Sequence, residues 1–393
     1  MNKRKDPKTT NDAVEMALES AVELGEIGIQ VAAYVGDELV IDSWTGDART
    51  GVAVDAATLF PVLSVSKAVT AVALHIQAER GLVDYDAPVA LYWPEFGVKG
   101  KEHVTILHVL THQSGVPGMP PATTPELMAN WDWMVNQLAM LDPLCPPGTK
   151  NTYATYSFGW ILGEVVRRTD PMHRPFDSFV REEITEPLGI DDLWIGLPPA
   201  QEHRVATLVG PFEQPTNSMR KIAVPDRVPV GPDLFNQAIV HQACIPSASG
   251  IANARAVARF FAMLANGGRL GRVRLLSESR VRLFTTLRPH SYDKDDILDD
   301  VALVGNGGLW LSGRDPVVGK GPNILYHTGG GGTYGWADLD TRVAVGICHN
   351  RMFTKATAHA GDGTKHPFSE LGKAIRSVAA PGNRTPKARA LPE

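Results

Sequence analysis

From Asn11 onward the apolar positions recur with a helical period: Val14, Leu18, Ala21 and Val22 fall on one stripe. Asn11 stands where an N-cap belongs and Gly25 where a helix stops, so this stretch predicts an amphipathic helix. The period then shortens. Segments 27–34 and 38–44 are β-rich and flank the turn dipeptide Gly36-Asp37, which predicts a hairpin. Near the other end, 332–337 and 342–348 flank Asp338-Leu339-Asp340 as a second hairpin, followed by a helix over 368–379. Between these ends the helical period dominates, over 69–80, 106–111, 126–141, 158–168, 176–184 and 254–265, with Pro- and Gly-rich loops between. The economical assembly is an α/β fold of the α+β type. One antiparallel sheet is built from both ends of the chain and covered by helices (1–88 and 240–393), with a mostly helical insert over 89–239.

Composition narrows the classes. With 393 residues, 44% hydrophobic and 21% charged, the chain can bury a large core. The balance of 38 basic against 43 acidic residues, net −5, supplies no electrostatic footprint for a nucleic acid or an anionic bilayer. Basic residues concentrate only at the tips, in 1–8 and 383–389, where short charged tails are ordinarily solvated. No apolar stretch follows the first of these as a secretory signal would require, and no run is long enough to span a membrane. Cys145, Cys244 and Cys348 are odd in number and widely spaced, which fits a reducing cytoplasm better than a disulfide framework or a zinc cluster.

The strongest chemical signal is Ser64-Val65-Ser66-Lys67, entering an apolar helix. If the helix starts near Ser64, a spacing of three puts the Ser64 hydroxyl and the Lys67 amine on one face, and an amine so placed can activate an otherwise weak nucleophile. Ser66, adjacent to Lys67, cannot serve in this way. Two further segments could complete a site. The loop 147–155 carries Tyr153 just ahead of a helix, and a tyrosine whose pKa is lowered by a nearby ammonium can move protons; Tyr156 competes for that role. The run 326–335, with His327 and Gly329 to Gly332, lies between strand signals, and a free N–H there could share an oxyanion with the Ser64 N–H.

Other signals are weaker. Gly330 to Gly335 satisfies a dinucleotide-binding spacing, but strand rather than helix follows it. His108 and His112 have the i, i+4 spacing of metal ligands without the glutamate or third ligand that would make a site, so they read as structural. The acidic run Asp293, Asp295, Asp296, Asp299 and Asp300 lacks the glycine and terminal glutamate of a calcium loop and reads as solvated. No cofactor is called for. Trp131, Trp133, Tyr334 and Trp336 are the aromatic candidates for substrate contact.

Taken in order, these segments resemble the serine hydrolases related to class C β-lactamases, and most closely the β-lactamase-like carboxylesterases called family VIII. The resemblance also takes in 104–115 (VTILHVLTHQSG), Glu186-Pro187-Leu188-Gly189, 246–250 (PSASG) and the segment from His327 to Met352. It implies a split α/β domain with a helical insert, Ser64 as acylated nucleophile, Lys67 as its activating partner and Tyr153 as proton carrier. It also implies that the Gly330 N–H faces the oxyanion and that His327 stands where β-lactamases carry a lysine, with Thr155 and Trp336 as further substrate contacts. Thr155 occupies the asparagine position of class C enzymes. Losing that amide and the fixed cation removes two polar contacts worth about 1–3 kcal/mol each, which turns the expectation from β-lactams toward simple esters. Acyl transfer, D-amino-acid amide or peptide hydrolysis and weak β-lactamase activity use the same site and stay open, as does a non-catalytic scaffold role. The expected partner is a small-molecule ester, with no nucleic acid and no membrane.

Overall fold

The computed structural model describes residues 11–212, 218–312, 315–354 and 366–379. The first predicted helix forms over Asp12–Glu23, with the Asn11 side chain accepting the Ala13 N–H at 2.9 Å. The N-terminal hairpin pairs Gly28–Val35 with Glu38–Arg49, and the C-terminal one pairs Tyr334–Asp338 with Val343–His349. The two hairpins join edge to edge, Ile29 opposite His349 and Val35 opposite Val343. The result is one seven-stranded antiparallel sheet, in the order Val52–Ala53, Glu38–Arg49, Gly28–Val35, Val343–His349, Tyr334–Asp338, Ile324–Thr328, Trp310–Leu311.

Helices cover both faces, which is why the central strands read as nearly unbroken apolar runs. Ile29, Val31, Ala33, Val345, Ile347 and Trp336 pack with Leu18 and Ile375 of the two terminal helices, Asp12–Glu23 and Ser369–Ala379. The alternate residues, among them Ala32, Tyr34, Ala337, Ala344 and Cys348, join the main core with Val257, Ala258 and Phe261 of the Ala254–Ala265 helix. That helix lies very close to the sheet. A Cβ on Gly346 would fall 2.4 Å from the Ala254 carbonyl oxygen, and one on Gly335 would fall 2.2 Å from the Phe261 ring, so both strands need glycine there.

A three-stranded sheet stands beside the large one: Phe60–Leu63 pairs with Gly250–Ala252, which pairs with Leu193–Ile195. In the middle of the chain the expected 126–141 helix is two, Pro125–Met128 and Trp131–Ala139. Asn130 interrupts it by turning its side chain to accept the Trp133 N–H at 3.0 Å. The 176–184 helix is α-helical only over Phe176–Val180 and widens to a π turn over Arg181–Thr185.

Candidate active site

Strand Phe60–Leu63 delivers the chain to Ser64 through a strained residue. Leu63 has φ +47, in the left-handed region that costs an ordinary side chain about 1–2 kcal/mol. Ser66 anchors this corner: its Oγ donates to the Leu63 carbonyl and accepts the Gly250 N–H at 2.9 Å. The helix begins at Ser66, not at Ser64 as the spacing argument supposed, and Val65 is its N-cap. The expected pairing survives because a tight turn, with the Lys67 N–H on the Ser64 carbonyl at 3.0 Å, continues the helical sense backward by two residues.

Lys67 is fully buried and its Nζ has three neighbours: Ser64 Oγ at 3.1 Å, Thr155 O at 2.7 Å and Ser247 O at 3.1 Å. Burial holds its pKa well below the ordinary lysine value. A neutral amine has two N–H donors and one lone pair. With those donors on the two carbonyls the lone pair would meet the Ser64 hydroxyl; as an ammonium, Lys67 instead donates its third N–H to Ser64 Oγ.

Tyr153 lies against this pair, with Lys67 Nζ 5.0 Å from its ring centroid. Its pKa moves opposite to the sequence expectation. Burial raises it, and hydrogen bonding by Ser64 only partly offsets the rise. The phenol therefore keeps its proton at neutral pH, while burial shifts Lys67 toward its neutral form. Tyr156 also lines the cavity and is likewise raised by burial, without a Ser64 interaction.

A cavity of about 190 Å³ opens over Ser64. Tyr153, Thr155, Thr328, Gly329 and Gly330 form its polar side, and Phe212, Val224, Val230, Ile297, Leu298 and Trp310 its apolar side, with Arg220 also on the wall. The lining draws on all three stretches of the chain. Among the described residues neither the Ser64 N–H nor the Gly330 N–H has an acceptor. The turn that carries Gly330 is closed by the Gly329 N–H on the Thr333 carbonyl at 2.7 Å, with Gly331 and Gly332 at φ +94 and +118.

Other sequence candidates fall elsewhere. Trp336 points into the opposite face of the sheet, because the two-residue period that sends Gly335 and Ala337 toward the site side sends Trp336 away from it. His327 lies one layer behind the wall, fully buried. Its Nδ1 bonds the Thr328 carbonyl at 2.8 Å, its ring stacks on Trp310 at 5.0 Å, and burial and the nearby Lys67 push its pKa down to about 3. It supplies no cation at neutral pH. Tyr334 is core, Trp133 is half-buried against the core, and Trp131 faces a separate cavity of about 550 Å³ with Phe176, Arg167 and Cys244. That cavity is the larger, but Ser64, Lys67 and Tyr153 are not on it.

His108 closes a capping box with Thr105, and His112 accepts the Ala154 N–H at 3.1 Å while its ring packs on Tyr153 at 4.6 Å. Among the described residues no group of three or more His, Cys, Asp or Glu is placed to hold a metal ion. The acidic run is not uniformly solvated: Asp295 is buried, and its Oδ1 accepts the N–H groups of Tyr153 (3.1 Å), Ile297 (2.9 Å) and Leu298 (3.0 Å). Phe212, Ile297, Leu298 and Trp310 went unnoticed in the sequence, and Asp295 was read only as part of a solvated acidic run.

Four likenesses to known proteins and families accord with this geometry. A family profile described as Beta-lactamase matches residues 14–365. The chain is 34% identical over 374 residues to the esterase/beta-lactamase LipL of Mycobacterium tuberculosis, covering 90% of this chain and 83% of that protein. Among solved structures it is similar to a family VIII carboxylesterase (TM-score 0.84, 30% identity, 93% of this chain and 96% of that one). It is also similar to a penicillin-binding protein homolog from Caulobacter crescentus (TM-score 0.82, 30% identity, 95% of this chain and 100% of that one).

Proposed function

The chain belongs to the β-lactamase family of serine hydrolases, and on that premise we propose that it is a carboxylesterase working through an acyl-enzyme on Ser64. One observation carries the reading: the buried Lys67 amine, 3.1 Å from Ser64 Oγ and bonded to the Thr155 and Ser247 carbonyls.

In this mechanism Lys67 takes the Ser64 proton as Oγ attacks the ester carbonyl carbon, and the Ser64 and Gly330 N–H groups receive the oxyanion. When the tetrahedral intermediate collapses, the bond to the alcohol oxygen breaks. Tyr153 gives that oxygen its proton and regains one from the Lys67 ammonium, leaving both groups as they began. Water then attacks the acyl carbon as its proton is relayed through Tyr153 to Lys67; when this second intermediate collapses, the bond from the acyl carbon to Ser64 Oγ breaks and the Lys67 ammonium returns its proton to Oγ.

The residues around this machinery favour esters over β-lactams. Thr155 offers a hydroxyl rather than an amide, and His327, held neutral by burial, presents no fixed charge to a substrate carboxylate. The convergence of Ser64, Tyr153 and Gly330 on one cavity supports reading 89–239 as a helical insert whose seam with 1–88 and 240–393 forms the site. A cytoplasmic location belongs to the same reading: the three cysteines are free, and among the described residues no helix is long and apolar enough to cross a membrane.

Intact mass after brief exposure to a panel of esters, amides and β-lactams tests the proposal. The expected result is a gain of one acyl group from esters that is lost in Ser64→Ala. A Ser64→Ala protein that hydrolyses p-nitrophenyl acetate at the wild-type rate overturns it.

A further inference from the structure

A second cavity, about 410 Å³, adjoins the first, and Leu298 and Trp310 line both. Its remaining wall is largely apolar, with Val301, Leu303 and Leu311, and also carries Tyr326, Asp300 and Asp315. We propose that this cavity is an annex of the active site that receives the alcohol arm of the ester, with Leu298 and Trp310 as the partition that sets how large an arm is accepted. The inference rests on the esterase reading for the word alcohol, and on geometry alone for the existence of the subsite.

The direction follows from the proton. The leaving oxygen must lie beside the group that protonates it, Tyr153. Tyr153 packs in one cluster with Ile297, Leu298 and Trp310, the Trp310 ring standing edge-on to it at 6.0 Å. Met219 and Val224 belong to the same cluster, and of its members Leu298 and Trp310 are the ones that also line the second cavity, so an arm that leaves Tyr153 past them enters it. Size supplies the need for more room. A cavity of about 150 Å³ is filled by a benzene ring. The 190 Å³ over Ser64 is little more than that, about the space of a short acyl group with a small alcohol.

Two variants and one binding measurement test the annex. Initial rates on methyl, butyl and octyl acetate give the ratio of kcat/KM for octyl to methyl ester. Leu298→Ala, which opens the partition, is expected to raise this ratio at least tenfold. Val301→Trp, which fills the far cavity, is expected to lower it at least fivefold. Separately, calorimetry of 1-octanol with Ser64→Ala protein is expected to give saturable binding that Val301→Trp abolishes. Ratios within twofold of wild type in both variants, with 1-octanol binding absent, overturn the annex even if methyl acetate is turned over. Conversely, 1-octanol binding blocked by Val301→Trp in a protein that hydrolyses no ester upholds the subsite and removes the esterase reading.

Discussion

Lys67 Nζ stands 3.1 Å from Ser64 Oγ, while Thr155 O at 2.7 Å and Ser247 O at 3.1 Å absorb its other hydrogen-bonding capacity. This relationship separates a base from a mere cation. Arginine cannot give up its proton in a protein. Lys67→Arg is therefore expected to lose about 10²–10⁴-fold in kcat, the usual contribution of a general base. Circular dichroism would establish that the variant is folded. Activity within threefold of wild type would mean that positive charge, not proton acceptance, is what Ser64 needs.

The lowered Lys67 pKa also fixes the sense of the pH profile. The amine must be neutral to act, so kcat/KM rises with pH through the lysine's depressed pKa and then levels off. A profile that falls across that range would contradict the assignment.

Tyr153→Phe removes only the hydroxyl, and its cost is expected to depend on the leaving group. Ethyl acetate, whose alkoxide needs a proton, should lose about 10²–10⁴-fold. p-Nitrophenyl acetate, whose phenolate departs unaided, should lose far less in acylation. Tyr156→Phe should cost under tenfold on both, since Tyr156 has no Ser64 interaction. Equal losses on the two esters in Tyr153→Phe would remove Tyr153 from proton transfer.

Asp295 ties the loop of Ile297 and Leu298 to the Tyr153 backbone through a single carboxylate oxygen. Asp295→Ala would leave three N–H groups without that acceptor, at about 1–3 kcal/mol for each that stays buried. Asp295→Asn keeps an oxygen in place and should be markedly milder. Urea titrations of both proteins check this, and equal midpoints for Ala and Asn would show the acceptor to be dispensable.

Acid should destabilise the fold earlier than its carboxylates alone require. Burial lowers His75 and His327 to about 3, and His112 well below its ordinary value of 6.5. Between 6.5 and those folded pKa values the unfolded chain binds protons that the folded chain refuses, so stability falls as pH falls, by up to about 1.4 kcal/mol per unit for each histidine. Above 6.5 these groups contribute no slope. Tm measured from pH 7.5 to 5 should drop below 6.5, with a shallower drop in His75→Gln; a flat Tm over 6.5 to 5 would contradict this.

What the sequence disclosed was whatever lay close along the chain. Ser64 and Lys67 are three residues apart, and the hairpins announce themselves by turn and alternation, so local geometry sufficed. The walls of the site did not disclose themselves, because Phe212, Ile297, Leu298 and Trp310 come from segments without a regular period and meet only through pairings such as Ile29 with His349, more than 300 positions apart. Trp336 misled for a related reason: its neighbourhood was right, but its face depends on a register that only the assembled sheet fixes. The pKa order of Lys67 and Tyr153 was likewise invisible, since burial, which sets both, is a property of the whole fold.

Gly335 and Gly346 carry a consequence for Ser64, far from them in the chain. By allowing the Ala254–Ala265 helix to rest on the sheet backbone, they fix the height of the strand immediately before it, Gly250–Ala252. That strand holds Phe60–Leu63 by its ladder and Ser66 by the Gly250 N–H. A single added methyl at Gly346 would thus act as a shim under the catalytic corner, changing the aim of Ser64 without touching any residue of the site.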